Sequence, residues 1–330
     1  MNRRTTLKTV AGITGASLFG PGIVSAAEPW AREKTQLWYT HQELLAELES
    51  LEQRASALSL EGIGESLEGR ELVAATVGDG DEDVFIVTEQ HGNEPHPTNA
   101  MMDELRHLST ADGYTARVRE ELTVHVVPML NPDGAMRNQR ENLDGIDLNR
   151  QHDYDPGADD NPSPEAQAMI DYVTAIDPLW VADLHIQGGP WPDEKDNPGD
   201  YITMSNFWSS NPDIEPAVVD RGKQLNVAMW DRVEGFANAQ LSVYPGGTGA
   251  NIARNAYGLR GYATVLSEMG ASHPYEGMNG QLVRQCRKAN QVLLEETADG
   301  TAFDRDPDRV AEIPERPDWD EMGEWPWEQS

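Results

Sequence analysis

The chain has 330 residues, with 57 acidic against 25 basic side chains and a formal charge of −32. Acids spread along the whole chain repel nucleic acid and anionic lipid, so neither is expected as a partner. Adaptation to a salt-rich medium, where screening removes the self-repulsion, accounts for such a surface better than a basic partner does.

Residues 1–27 read as a targeting segment. Arg3-Arg4-Thr5-Thr6-Leu7-Lys8 has the twin-arginine pattern, and a mild apolar stretch follows from Val10 to Val24. Ser25-Ala26-Ala27 then offers small residues for cleavage. Gly12, Gly15, Gly20, Pro21 and Gly22 count against a buried helix here, because each weakens a helix interior. The expectation is export by the twin-arginine route to an extracellular or cell-surface location. Cys286 is the single cysteine, so no intrachain disulfide can form. No later stretch reaches the ~18 apolar residues of a membrane span, and the sequence sets no oligomeric state.

Beyond the targeting segment, Leu44, Leu45, Leu48 and Leu51 recur at helical spacing and predict a helix over residues 40–51. Residues 71–77 and 83–88 read as strands joined by Gly78-Asp79-Gly80-Asp81. Helices are predicted over 98–108, over 163–176 (Ser163 as cap and Pro164 first), over 216–236 and over 278–297. Further strands are predicted over 122–128, 179–184 and 261–266. Strands alternating with helices imply a single α/β domain with helices on both faces of its sheet, over residues 28–300. Residues 301–330, rich in Pro, Asp, Glu and Trp, read as an acidic tail wrapping the surface as coil.

His91-Gly92-Asn93-Glu94 follows the 83–88 strand and sets an imidazole and a carboxylate three residues apart, a spacing that one helical turn brings together. His185 follows the 179–184 strand. Two His and one Glu with an open fourth position is the ligand set of a catalytic zinc. Asn131-Pro132-Asp133-Gly134 and Glu268 follow two more strands. Polar groups gathered beyond the carboxyl ends of four strands are where α/β sheets build their sites.

These motifs, with Ile63-Gly64-Glu65-Ser66-Leu67-Glu68-Gly69-Arg70 before them and Gly145-Ile146-Asp147-Leu148-Asn149-Arg150 and Asp183-Leu184-His185 after, resemble in order the zinc carboxypeptidases of the carboxypeptidase A-like family, over residues 39–297. The resemblance implies a mixed, largely parallel twisted sheet and one zinc ion per chain, held by His91, Glu94 and His185. It implies that Asp147 orients His91, that Glu268 is the general base, and that Arg140 stabilises the oxyanion. Arg140 is preferred to Arg137 because Arg140-Glu141-Asn142 matches the family's R-x-N. Asn149 and Arg150 match the pair that grips a terminal carboxylate, and Tyr244 the tyrosine that closes over substrate. The side-chain pocket would involve residues 250–254, with Arg254 either lining it and selecting acidic side chains or serving as a structural or surface arginine. Among the other histidines, His125 reads as a core residue, and His41, His107, His152 and His273 as cap or surface residues.

The leading expectation is therefore an exported zinc metallocarboxypeptidase that removes C-terminal residues from peptides. Gly92-Asn93, Gln151-His152 and Ile186-Gln187-Gly188 depart from the family's usual residues. They keep open an amidase or deacylase acting on N-acyl amino acids. A non-catalytic binding protein would have lost the base or a ligand, and both are retained.

Overall fold

The computed structural model describes residues 38–110, 112–187, 191–192, 201–270 and 279–316. The expected targeting segment lies outside them, as do His273, Gly188 and the tail beyond residue 316. In chain order the described elements are α1 (His41–Arg54), β1 (Leu58–Glu65), β2 (Glu71–Val77), β3 (Glu82–Thr88), α2 (Pro95–Leu108), α3 (Gly113–Glu121), β4 (Leu122–Val127) and α4 (Pro132–Arg137). There follow α5 (Pro164–Ile176), β5 (Trp180–Ile186), β6 (Trp191–Pro192), β7 (Tyr201–Ile202), β8 (Met204–Phe207), α6 (Pro216–Val233), β9 (Leu241–Val243), α7 (Ala253–Leu259), β10 (Ala263–Met269) and α8 (Asn279–Ala298).

The described residues form a single α/β domain around an eight-stranded mixed sheet in the order β1-β2-β4-β3-β5-β10-β8-β9. Its centre, from β4 through β3 and β5 to β10, is parallel. Antiparallel pairs flank it at β2–β4 and β10–β8. β2 and β3, consecutive in the chain, are not neighbours, because β4 lies between them and pairs with both.

Strand alternation divides the core in two. Val84 and Ile86 of β3, and Trp180, Ala182 and Leu184 of β5, share a cluster with α1, α2, α6 and α8. Phe85, Val87 and Val181 point the other way, into a cluster with Met169 and Val173 of α5 and Tyr257 of α7. Burying a side chain the size of Phe85 or Leu184 stabilises the fold by ~1.5–3 kcal/mol. By the same period of two, Asp183 and His185 of β5 share the α5/α7 face.

Local chemistry explains the helix starts. Thr40 caps α1 in a reciprocal capping box with Glu43, an arrangement whose loss costs ~1 kcal/mol. Ser163 caps α5 with Pro164 in the first turn, as predicted. Two departures have clear causes. The helix predicted over 216–236 ends at Val233 and gives way to a 3₁₀ turn, where Gly235 takes a φ of 74°. The expected coil after residue 300 contains a 3₁₀ helix, Pro307–Glu312, capped by Asp306. Beyond it Glu315 bridges to Val243 at the edge of the sheet.

Candidate active site

The site begins where β3 stops. Glu89 takes a left-handed φ of 54°, which turns the chain sharply at the strand end. The turn is held by Thr98 Oγ1, which donates to Glu89 Oε2 at 2.6 Å, and by Asn131 N, which donates to Glu89 O at 3.0 Å. His91 to Glu94 then form a tight turn and not a helix: Glu94 N donates to His91 O at 3.1 Å, and α2 starts only at Pro95. The residue before a proline is kept out of the helical region, so Glu94 sits at φ −116°, ψ 66°. Gly92 is required because a Cβ there would lie 2.1 Å from Ala135 N. The Asn131-Pro132-Asp133-Gly134 motif supplies that neighbouring backbone, and Asn131 braces it by donating to Gln90 O and Arg140 O, each at 3.2 Å. Ser66 of the early motif donates to Asp133 Oδ1 at 2.9 Å, so two of the sequence motifs are joined structurally.

His91, Glu94 and His185 converge. One ligand atom from each lies within 4.8 Å of the others, and all three residues are buried. His185 Nδ1 is 2.9 Å from His91 Nδ1 and 2.8 Å from Glu94 Oε2, and His91 Nδ1 is 2.9 Å from Glu94 Oε1. The outer nitrogens face carboxylates: His91 Nε2 lies 3.1 Å from Asp147 Oδ1, and His185 Nε2 lies 2.9 Å from Asp183 Oδ1. Burial works to raise the Glu94 carboxyl, but the imidazoles of His91 and His185 overcome it and hold it well below the usual carboxylate range. Burial works to lower His185, but Asp183 and Glu94 raise it well above an ordinary histidine.

Glu268 stands beside this cluster. In the parallel pairing of β10 with β5 it is the register partner of His185, and it is 8% exposed. Burial pushes its carboxyl up. Arg140 also reaches the cluster. Its Nη2 donates to Asp147 Oδ2 at 2.9 Å, and its Nη1 is 3.0 Å from His91 Nδ1. Arg137 turns away to pair with Glu68, so of the two candidate arginines only Arg140 reaches the cluster.

The remaining expected residues differ in their freedom. Asn149 is buried, with Nδ2 3.1 Å from His185 Nε2 and Oδ1 accepting from Ala253 N at 2.9 Å, so its amide is engaged within the protein. Arg150 is exposed and donates to Asn149 O at 2.7 Å. Tyr244 is half-buried, and the Glu268 charge, with burial adding to it, raises its phenol. Arg254 is 4% exposed, which rules out the surface reading. It stacks over Phe207 and donates to Gly247 O, and burial holds its guanidinium down to about 10.

Residues 44–204 match the family model described as zinc carboxypeptidase. A metallo-carboxypeptidase from Burkholderia cenocepacia has a similar fold, with a TM-score of 0.62 at 21% identity over 78% of this chain and 70% of that one. Cytosolic carboxypeptidase 1 of Homo sapiens is 34% identical over 106 residues, 31% of this chain and 9% of its own length. An uncharacterized protein of Zymomonas mobilis is 29% identical over 147 residues, 44% of this chain and 37% of that protein. The chain is thus similar, over just under half of its length, to the zinc carboxypeptidase family. The match thus spans well under half the length of these curated relatives.

The family model that the chain matches is named for zinc, and the donor set here fits that metal. With each outer nitrogen turned to a carboxylate, the two Nδ1 atoms, 2.9 Å apart, and a buried carboxylate that flanks both converge on one point where a cation would fit. Two nitrogens and an oxygen suit zinc, and each imidazole has its far nitrogen turned to a carboxylate, which fixes its tautomer and aim.

Several contributors escaped the sequence reading. Asp183 was read only as part of an apolar strand and motif, yet it faces His185. Gln90 donates to Asp183 Oδ1 at 2.7 Å, and its Oε1 accepts from His152 Nε2 at 2.7 Å. His152, expected as a cap or surface residue, is fully buried, and burial holds its imidazole down to about 4. Its far nitrogen, Nδ1, lies 3.2 Å from Tyr257 Oη on α7. The sequence signal for Gln90 and Asp183 was a polar residue at or within an apolar strand end; His152, after the 3₁₀ turn Leu148–Arg150, gave none. His125, by contrast, is the core histidine expected, bonded to Asp83 and Tyr172.

Proposed function

We propose that this chain is a zinc-dependent metallocarboxypeptidase that hydrolyses C-terminal peptide bonds, with His91, Glu94 and His185 holding one metal ion and Glu268 as general base. The observation that carries the reading is the register of Glu268 beside His185, next to a buried His–Glu–His cluster. Bound zinc supplies a Lewis acid that activates water and polarises a carbonyl. Glu268, buried with its proton affinity raised, takes a proton from water at its carboxylate and delivers it to the departing amine. Asp147 and Asp183 hold the imidazoles in aim. Arg140, fixed by Asp147, stabilises negative charge developing on the scissile oxygen. Arg150, exposed at the rim, meets the terminal carboxylate, with Asn149 holding the loop behind it, and Tyr244 covers the substrate. Arg254 lies buried behind Phe207, where a guanidinium favours substrates with an acidic side chain.

Residues 1–27 fit export by the twin-arginine route, and the charge of −32 fits work in a saline exterior. Among the described residues no helix is long and apolar enough to cross a membrane. A peptide library incubated with the protein in high salt should lose single C-terminal residues. Chelator should stop this and zinc restore it. Intact peptides from zinc-loaded protein would overturn the reading, and turnover confined to N-acyl amino acids would establish the amidase alternative.

A further inference from the structure

We propose that Arg316 is a positioning residue for Tyr244, so that a segment expected to be surface coil completes the substrate side of the site; the proposal rests on the peptidase reading above. The backbone brings this segment in with a defined register. Val243 N donates to Pro314 O at 2.7 Å, and Arg316 N donates to Val243 O at 3.0 Å. The next residue on that strand end is Tyr244, whose N donates to Asn206 O at 2.9 Å. Arg316 is therefore delivered beside Tyr244 by main-chain pairing and not by a chance side-chain excursion.

Arg316 is 5% exposed, and its guanidinium carbon lies 4.4 Å from the Tyr244 ring centroid. A cation over an aromatic face is attracted by the ring quadrupole, and more strongly when water is excluded. Arg316 Nη1 donates to Gln187 Oε1 at 2.8 Å, and that oxygen also accepts from Ser205 Oγ at 2.8 Å. Gln187 is fixed in turn, its N donating to Met269 O at 2.8 Å. Gln187 follows His185 by two residues, and Met269 follows Glu268. The guanidinium thus ties the Tyr244 ring to the ends of the two strands that carry His185 and Glu268.

The test uses the full chain with zinc. Arg316→Met keeps bulk and removes the cation. It should raise KM ~30-fold, the size of a desolvated cation–π contact, with kcat changed less. Zinc content and the unfolding midpoint should stay at wild-type values, and Arg316→Lys should recover part of the loss. In a Tyr244→Phe background, Arg316→Met should add little, because without the hydroxyl the ring's placement no longer matters. A readout free of turnover is nitration of Tyr244, followed by peptide mass spectrometry, which should quicken severalfold in Arg316→Met. An unchanged nitration rate, or an equal KM penalty with and without the Tyr244 hydroxyl, would overturn the proposal. If the wild-type protein cleaves no peptide, the peptidase reading fails, and nitration alone still decides whether Arg316 holds the ring.

Discussion

The proposed metal side of the site and the proposed substrate side are built differently. His91, Glu94 and His185 stand at the ends of central parallel strands, nearly closed to solvent, and the outer nitrogen of each imidazole is engaged. Arg140, Arg150 and Tyr244 stand on loops with more of their surface open; the Arg140 side chain is 38% exposed. The first half is preorganised by the sheet. The second depends on connections far apart in the chain, including the segment that carries Arg316. Damage to the first should therefore be read in metal retention and turnover, and damage to the second in substrate affinity.

The largest effect tests the closed half. His185→Ala removes one donor, leaving Asp183 without its imidazole and Glu94 with His91 alone, so zinc should be lost on dialysis and turnover should fall to background. Full zinc occupancy in that variant would place the metal elsewhere. Next, Arg140→Met probes the boundary between the halves. Loss of an oxyanion donor costs on the order of 3 kcal/mol, so kcat should drop ~10²-fold while zinc stays bound. A change in KM alone would move Arg140 wholly to the substrate side.

A smaller effect is expected one step behind the metal. Gln90→Leu breaks the chain from His152 to Asp183, and zinc affinity, read by competition with a coloured chelator, should weaken ~10–100-fold. Unchanged affinity would reduce that chain to packing.

The smallest effect lies away from both halves, in the clasp between α6, α8 and the C-terminal segment. Burial works to raise the Glu296 carboxyl, but bonds from Arg305, Thr301 and Arg232 hold it at about 2. A carboxyl lowered from its ordinary 4.5 stabilises the fold above that value and loses its contribution as pH falls through about 2. Glu296→Gln should therefore lower the unfolding midpoint modestly at neutral pH, and the difference should vanish over that acid window. A gap that persists at low pH would show the effect to be packing.

The sequence made the closed half legible because its chemistry is local. His91 and Glu94 lie in one turn, and His185 and Glu268 each follow an apolar run long enough to read as a strand. The α/β architecture followed from the same runs. The insertion of β4 between β2 and β3 was not legible, because pairing partners are set by packing across the sheet. His152 read as a cap or surface residue, and Arg254 was left between a pocket and a structural or surface role, because burial by distant parts of the chain leaves no local trace. Arg316 was invisible for a related reason: only the bridge from Glu315 to Val243 makes a polar tail part of the site.

The central claim is that Glu268 moves the proton beside a metal held by the other three residues. Glu268→Gln keeps shape and hydrogen bonding but cannot accept that proton. Zinc content and peptide turnover should be measured on the same preparation in high salt. The account predicts one zinc per chain, as in wild type, with turnover reduced ~10²–10⁴-fold. Turnover equal to wild type with zinc bound would contradict it.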